Sequence, residues 1–191
     1  MTPKLIHPRR ISDARGWFAE VFSARRYAEL GIDVAFVQDN HSHSAAAGVV
    51  RGLHFQVPPH AQAKLVRCLA GRMFDVAVDI RAGSPTFGRW VAHELSAENG
   101  LQLFVPAGFA HGFMTLEPGT EVDYKVSDFY APACERGVLW NDPALGIPWP
   151  SPQVGAPALS ARDAALPCLA ELASPFVYDG APLEPLTPVP G

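Results

Sequence analysis

With 191 residues, 48% of them hydrophobic and only 18% charged, the chain can bury one full core and is globular, not disordered. A net charge of −4 argues against the basic footprint of a nucleic-acid binder, while leaving room for a local cationic pocket. Cys68, Cys134 and Cys168 are far apart and odd in number, so neither a disulfide framework nor a zinc knuckle is suggested. The N-terminus has no apolar signal-like stretch, and no run is long enough to span a membrane. A soluble, reduced, cytoplasmic protein is therefore expected.

In chain order, Asp13-Ala-Arg-Gly16 reads as a turn leading into a strand over 17–22. Its alternation puts Glu20 on one face with Phe18 and Phe22, either as a solvated edge carboxylate or as a functional one. Ser23 is placed to cap a helix over 24–30 that Gly31 stops. An apolar strand from Ala35 runs into the polar Gln-Asn-His cluster at 38–43. His41 and His43 share a strand face, but no third metal ligand is evident.

The densest chemistry lies between Arg51 and Lys64, which holds two cations, two imidazoles (His54, His60) and two amides within one short stretch. Gly52 and Pro58-Pro59 bend the backbone on either side of His54, which is read as a general base. Arg51 and His54 face opposite sides of a regular strand. They can serve one pocket only if Gly52 carries a bulge or the segment leaves the sheet.

Strands are predicted over 64–70, 73–80, 89–95, 101–105, 111–116 and 120–130, with turns at hairpin spacing between them. The segment 73–80 has the clearest period of two, with Phe74, Val76, Val78 and Ile80 against Asp75, Ala77 and Asp79. No long helical period, GxGxxG or P-loop interrupts the series, so an antiparallel sandwich or barrel is expected. In the strand around Tyr124, that phenol shares a face with Val122 and Val126 and points inward, as core filler or as an acid. Ser160 and Asp163 have capping-box spacing at a short helix, and Asp163 could equally orient His54. From Pro143 onward prolines recur, and 182–191 reads as a loose, extended end.

Pro106-Ala-Gly-Phe-Ala-His111 matches the second half-motif of the cupins, whereas the HxH-plus-Glu first half is missing. That points to a cupin-type double-stranded β-helix, mainly β with a few short helices, that has lost its metal site. His111 is then either a cavity residue or a core histidine bonded to backbone.

From about residue 13 to 170 the chain resembles the dTDP-4-dehydrorhamnose 3,5-epimerase family. The resemblance rests on Asp13-Ala-Arg-Gly, Val37-Gln-Asp-Asn-His-Ser, Arg51-Gly-Leu-His-Phe-Gln, Ala63-Lys-Leu-Val-Arg and Phe74-Asp-Val-Ala-Val-Asp-Ile-Arg. Ser84-Pro-Thr-Phe-Gly, Pro106-Ala-Gly-Phe-Ala-His-Gly-Phe, Tyr124-Lys and Trp140-Asn-Asp-Pro extend it. It implies a homodimer with no metal and no cofactor, acting on a thymidine-diphosphate 4-keto-6-deoxyhexose. The family's base falls on His54, its supporting aspartate on Asp163, its acid on Tyr124 and its enolate-stabilising lysine on Lys64. Its substrate contacts fall on Arg15, Glu20, Gln38, Asn40, Arg51, His111, Glu135 and Arg162, the last an arginine where the family's more familiar residue is lysine. A single domain over 1–175 and a proline-rich tail over 176–191 complete the expected organisation.

Overall fold

The computed structural model describes residues 1–150 and 155–191. The chain order is β1 (Lys4–His7), β2 (Arg10–Asp13), β3 (Gly16–Ala19), α1 (Ala24–Glu29), β4 (Gln38–Ser44), β5 (Val50–Gln56), β6 (Lys64–Ala70) and β7 (Arg72–Asp79). It continues with β8 (Trp90–Ser96), β9 (Gln102–Val105), β10 (Phe109–Thr115), β11 (Thr120–Val126), β12 (Glu135–Gly137), α2 (Ala161–Ala164) and β13 (Pro188–Pro190). From β4 to β12 the strands follow one another without an intervening α-helix, as the period-two segments require, and eleven strands make up the two main sheets.

They fold into two facing sheets, one of six strands in the order β13-β1-β9-β6-β11-β4 and one of five in the order β12-β5-β10-β7-β8. Every pairing is antiparallel except β1 with β13. The architecture is the mainly β, cupin-type jelly roll that the sequence predicts.

Three apolar layers hold it. Between the sheets lie Leu5, Val66, Met73, Ala77, Leu95, Leu103 and Val122. Outside the five-stranded sheet, Val76, Val78 and Ile80 are covered by Leu145, Leu169, Trp149 and Phe176 from the proline-rich segment. Outside the six-stranded sheet, Ile6, Leu65 and Phe104 meet Tyr27 of α1 and Ile32. Burial of this apolar surface is the main drive for folding.

Several expectations are corrected in detail. β7 is buried on both faces: the C-terminal segment covers Val76, Val78 and Ile80, while Asp75 and Asp79, at 0% exposure, lie on the inter-sheet face with Met73 and Ala77. Asp79 is satisfied by Arg81, whose Nε and Nη2 donate to it at 2.9 and 2.8 Å, and by the hydroxyls of Ser84 and Thr86. The strand expected over 17–22 ends at Ala19, and among the described residues its only partner is β2. With no sheet beneath this hairpin, Trp17 (57%) and Phe18 (69%) stand in the open. β4 begins at Gln38 instead of Ala35, so the polar cluster is itself the strand. Ser23 precedes α1 without a side-chain capping bond. The end of the chain is extended but not loose, since β13 is hydrogen-bonded into a sheet and Gly191 is buried. Among the described residues no helix is long and apolar enough to cross a membrane.

Candidate active site

β5 carries the feature that makes the site possible. On β10, His111 and Phe113 are two residues apart, yet on β5 their partners His54 and Arg51 are three apart. The extra residue is a bulge, and Gly52 provides it with φ +121°. A Cβ at residue 52 would sit 2.6 Å from Gly112 Cα and 2.7 Å from the His111 carbonyl oxygen, so only glycine fits. The bulge resolves the parity conflict, and Arg51 and His54 open onto the same cavity.

That cavity has two adjoining compartments, of about 330 and 120 Å³. His54, Lys64, Tyr124 and Glu135 line both. Arg51, His111, Arg162 and Asp163 line the larger compartment, and Gln38 and Asn40 the smaller. Every predicted site residue is thus gathered in one place except Arg15 and Glu20. Arg15 sits at the turn of the β2–β3 hairpin, paired with Asp13, and Glu20 just beyond β3; both are exposed and outside the lining of this cavity.

His54 Nε2 donates to Asp163 Oδ1 at 2.6 Å, with the aspartate side chain only 7% exposed. The Ser160 hydroxyl caps α2, accepting from the Asp163 backbone N–H at 3.0 Å. The Asp163 carboxylate does not close the capping box but turns to His54, because α2 starts against β5. Burial pushes the Asp163 carboxyl up, but the His54 hydrogen bond and charge, with help from Gly52 N–H and Ser160, outweigh it and hold the pKa below the usual carboxylate value.

Lys64 opens β6, and its Nζ donates to the His54 carbonyl oxygen at 3.2 Å. Burial brings its pKa down to about 8, against the opposing pull of Asp75 and Glu135. Tyr124 lies on β11 opposite Asn40 of β4 and packs against the inter-sheet core. Burial raises its pKa above the ordinary phenol value, an effect that Arg51 opposes and Glu135 reinforces. The phenol therefore keeps its proton at neutral pH, as a proton donor must.

His111 is bonded not to backbone but to a carboxylate, its Nε2 donating to Asp75 Oδ1 at 2.6 Å. Burial lowers its pKa despite that partner. Asp75 Oδ2 and the hydroxyl of Ser42 are buried without a hydrogen-bond partner among the described residues. Both residues escaped the sequence reading. Asp75 was visible only as a charge within an apolar strand, and Ser42 looked like any polar strand residue.

At the mouth, Glu135 accepts from Tyr130 Oη at 2.6 Å and from Arg162 Nη1 at 2.7 Å. These bonds, the Arg162 charge and His54 outweigh the effect of burial and hold the Glu135 pKa low. His41 lies on the outward face of β4, meeting Glu121 at 3.1 Å, and His43 beside it is exposed. Among the described residues no group of three or more His, Cys, Asp or Glu side chains converges as a metal site would require.

A buttressed imidazole, a protonated phenol and a lysine facing one polar cavity suit proton transfer next to a carbonyl, with cations at the rim for an anionic substrate. The family model described as dTDP-4-dehydrorhamnose 3,5-epimerase matches residues 3–171. The chain belongs to that family. A dTDP-4-dehydrorhamnose 3,5-epimerase from Sinorhizobium fredii is 55% identical over 175 residues, covering 92% of this chain and 89% of the relative. The crystal structure of the Bacillus anthracis epimerase with TDP and PPi bound superposes with a TM-score of 0.83 at 51% identity, over 87% of this chain and 93% of that one. The Legionella pneumophila enzyme, in complex with dTDP-4-keto-L-rhamnose, gives 0.83 at 49% identity over 88% of each chain.

Proposed function

We propose that this chain, as a cytoplasmic homodimer, inverts C3 and C5 of dTDP-4-dehydro-6-deoxy-D-glucose to give dTDP-4-dehydro-L-rhamnose. The C4 ketone acidifies the protons on both neighbouring carbons, so the chemistry asks for a base, an acid and a charge partner for the enolate. His54 takes the proton through Nδ1, the nitrogen not bonded to Asp163, and Asp163 stabilises the imidazolium. Lys64 stabilises the enolate oxygen, and Tyr124 returns a proton to the opposite face of the ring.

Arg51 and Arg162 are suited to the diphosphate. Gln38, Asn40, His111 and Glu135 contact the rest of the substrate. Arg15 and Glu20 stand on a hairpin outside their own cavity, which supports their reaching the site of a second copy in the dimer.

The observation that carries this reading is that the His54–Asp163 pair, Lys64 and Tyr124 share one cavity. Incubation with the 4-keto sugar nucleotide in D2O, followed by NMR, tests it. Deuterium at C3 and C5 of an L-configured product is the expected result. Label at one carbon alone would identify a mono-epimerase, and no label would refute the base.

A further inference from the structure

Residues 172–191 lie beyond the family match, which ends at 171. They are nevertheless bound along the molecule. Ala82 N–H donates to the Phe176 carbonyl at 2.7 Å, and Tyr178 N–H returns to the Ala82 carbonyl at 3.1 Å. Arg81, almost fully buried, reaches Asp179 at 2.7 Å. Leu183 N–H donates to Thr86 Oγ1 at 3.0 Å, and the Leu183 and Leu186 side chains pack on the inter-sheet core. They lie beside β8, the edge strand of the five-stranded sheet. The chain then adds β13 to the six-stranded sheet, pairing Pro188, Val189 and Pro190 with Leu5, Ile6 and His7.

The pattern of prolines in β13 has a direction. Gly191 N–H donates to the His7 carbonyl at 3.1 Å, so residue 191 and, by strand alternation, residue 189 turn their backbone groups toward β1. Residues 188 and 190 turn theirs outward, and both are proline. At these two positions a further strand would look for N–H donors, and none exists. Unblocked edge strands are templates for pairing with another chain, and proline with its nitrogen facing solvent is one way of blunting them.

We propose that residues 176–191 are an edge guard. They seal the side of the sandwich where β8 and β1 end the two sheets, terminate the sheet with an unpairable strand, and so confine self-association to the opposite side, where β4 and β12 lie. The role is independent of the reaction assigned to the cavity.

The test uses the full-length chain with Pro188→Thr and Pro190→Thr together, which restores two outward donors while leaving the inward bonds in place. Light scattering coupled to gel filtration over a range of concentrations should give a constant mass for the parent chain. For the variant the mass should rise with concentration, and kcat/KM should stay unchanged. Hydrogen exchange at Val189 and Gly191 reports whether β13 remains docked. A docked variant with the parent's mass profile overturns the proposal. A second variant, Val189→Asp, detaches β13 from the α1 layer and bares β1. Fast exchange at His7 and Gly191, whose backbone groups face each other across the β1–β13 pair, with no gain in mass would overturn it equally.

Discussion

Replacing Asp163 with asparagine keeps the side chain's shape and removes its charge. In the native site the carboxylate accepts from His54 Nε2 at 2.6 Å, the aspartate 7% and the histidine 27% exposed. Because that bond needs the proton on Nε2, Nδ1 is left as the nitrogen that can accept one from substrate. An asparagine oxygen preserves the tautomer but loses the ionic part of the bond, and an asparagine NH2 turned toward the ring reverses the tautomer. Hydrogen bonds to charged groups contribute about 1.5–3 kcal/mol net, and about 1.4 kcal/mol is tenfold in rate. A neutral bond would keep about 0.5–1.5 kcal/mol of that, so loss of the ionic part alone should lower kcat by about 5- to 13-fold. A tautomer error would take the loss toward roughly the 10⁴-fold seen for the corresponding change in a serine-protease triad. Turnover of the 4-keto sugar nucleotide is followed by NMR, and TDP affinity by calorimetry should hardly change. In a His54→Asn background the same substitution should cost almost nothing more, since Asp163 acts through His54. Full kcat in Asp163→Asn, or losses that simply multiply in the double variant, would refute the pairing.

Lys64 titrates near 8 instead of 10.5 because burial disfavours its charge, so kcat/KM should decline above about pH 8. Since Asp75 pulls that value upward, Asp75→Asn should move the decline to lower pH, and an unmoved pH profile would show that Asp75 does not act on Lys64. The same depressed lysine makes unfolding easier at neutral pH, so its contribution to denaturant stability should rise as pH goes from about 8 toward 10.5, and Lys64→Met should remove that rise relative to the parent. Asp163 works in the opposite sense: its folded pKa is lowered, so its contribution is present above the unfolded value and lost as pH falls through the folded one. The stability gap between the parent and Asp163→Asn should therefore close in acid. Tyr124→Phe should lower inversion by about 10²- to 10⁴-fold while deuterium still exchanges into the unreacted substrate from the His54 face; loss of exchange as well would assign Tyr124 a different role. Gly52→Ala places a Cβ against Gly112 and the His111 carbonyl, and should destabilise the protein by roughly 3 kcal/mol or more in urea titrations.

The strands and the candidate base were legible because each rests on a local signal. Period two marks β7 and β11, and the crowding of Arg51, His54 and Lys64 has no simple solvated reading. Local signals cannot say what lies on top of a strand. The alternation of β7 reads as half-buried, but its aspartates share the inter-sheet face with Met73 and Ala77, and the return of Leu145, Leu169 and Phe176 buries the opposite face of Val76, Val78 and Ile80 as well. The proline-rich end misled for the same reason, since proline reports a missing donor and an extended backbone but not the edge against which that backbone lies. Trp17 and Phe18 resemble a buried strand until it is seen that β2 and β3 have no sheet beneath them. The Gly52 bulge shows the converse. A parity conflict between two residues wanted in one pocket predicted an irregularity at the one residue able to supply it.

Two histidines in this cavity hold carboxylates at the same 2.6 Å, yet they cannot do the same work. The His54 side chain is 27% exposed and that of His111 only 7%, with Asp75 behind it at 0%. Charging His111 would put a cation at a largely desolvated position, and burial lowers its pKa even against the aspartate. A general base must become charged during the reaction, so the role falls to the imidazole that keeps contact with solvent and whose carboxylate is ionised. His111, held neutral with its proton directed at Asp75, is left with Nδ1 as an acceptor, which suits a sugar hydroxyl and not a carbon acid. Burial, more than the identity of the hydrogen-bond partner, therefore separates the proposed base from the proposed binding residue. His111→Asn should accordingly raise KM more than it lowers kcat, whereas His54→Asn should do the reverse.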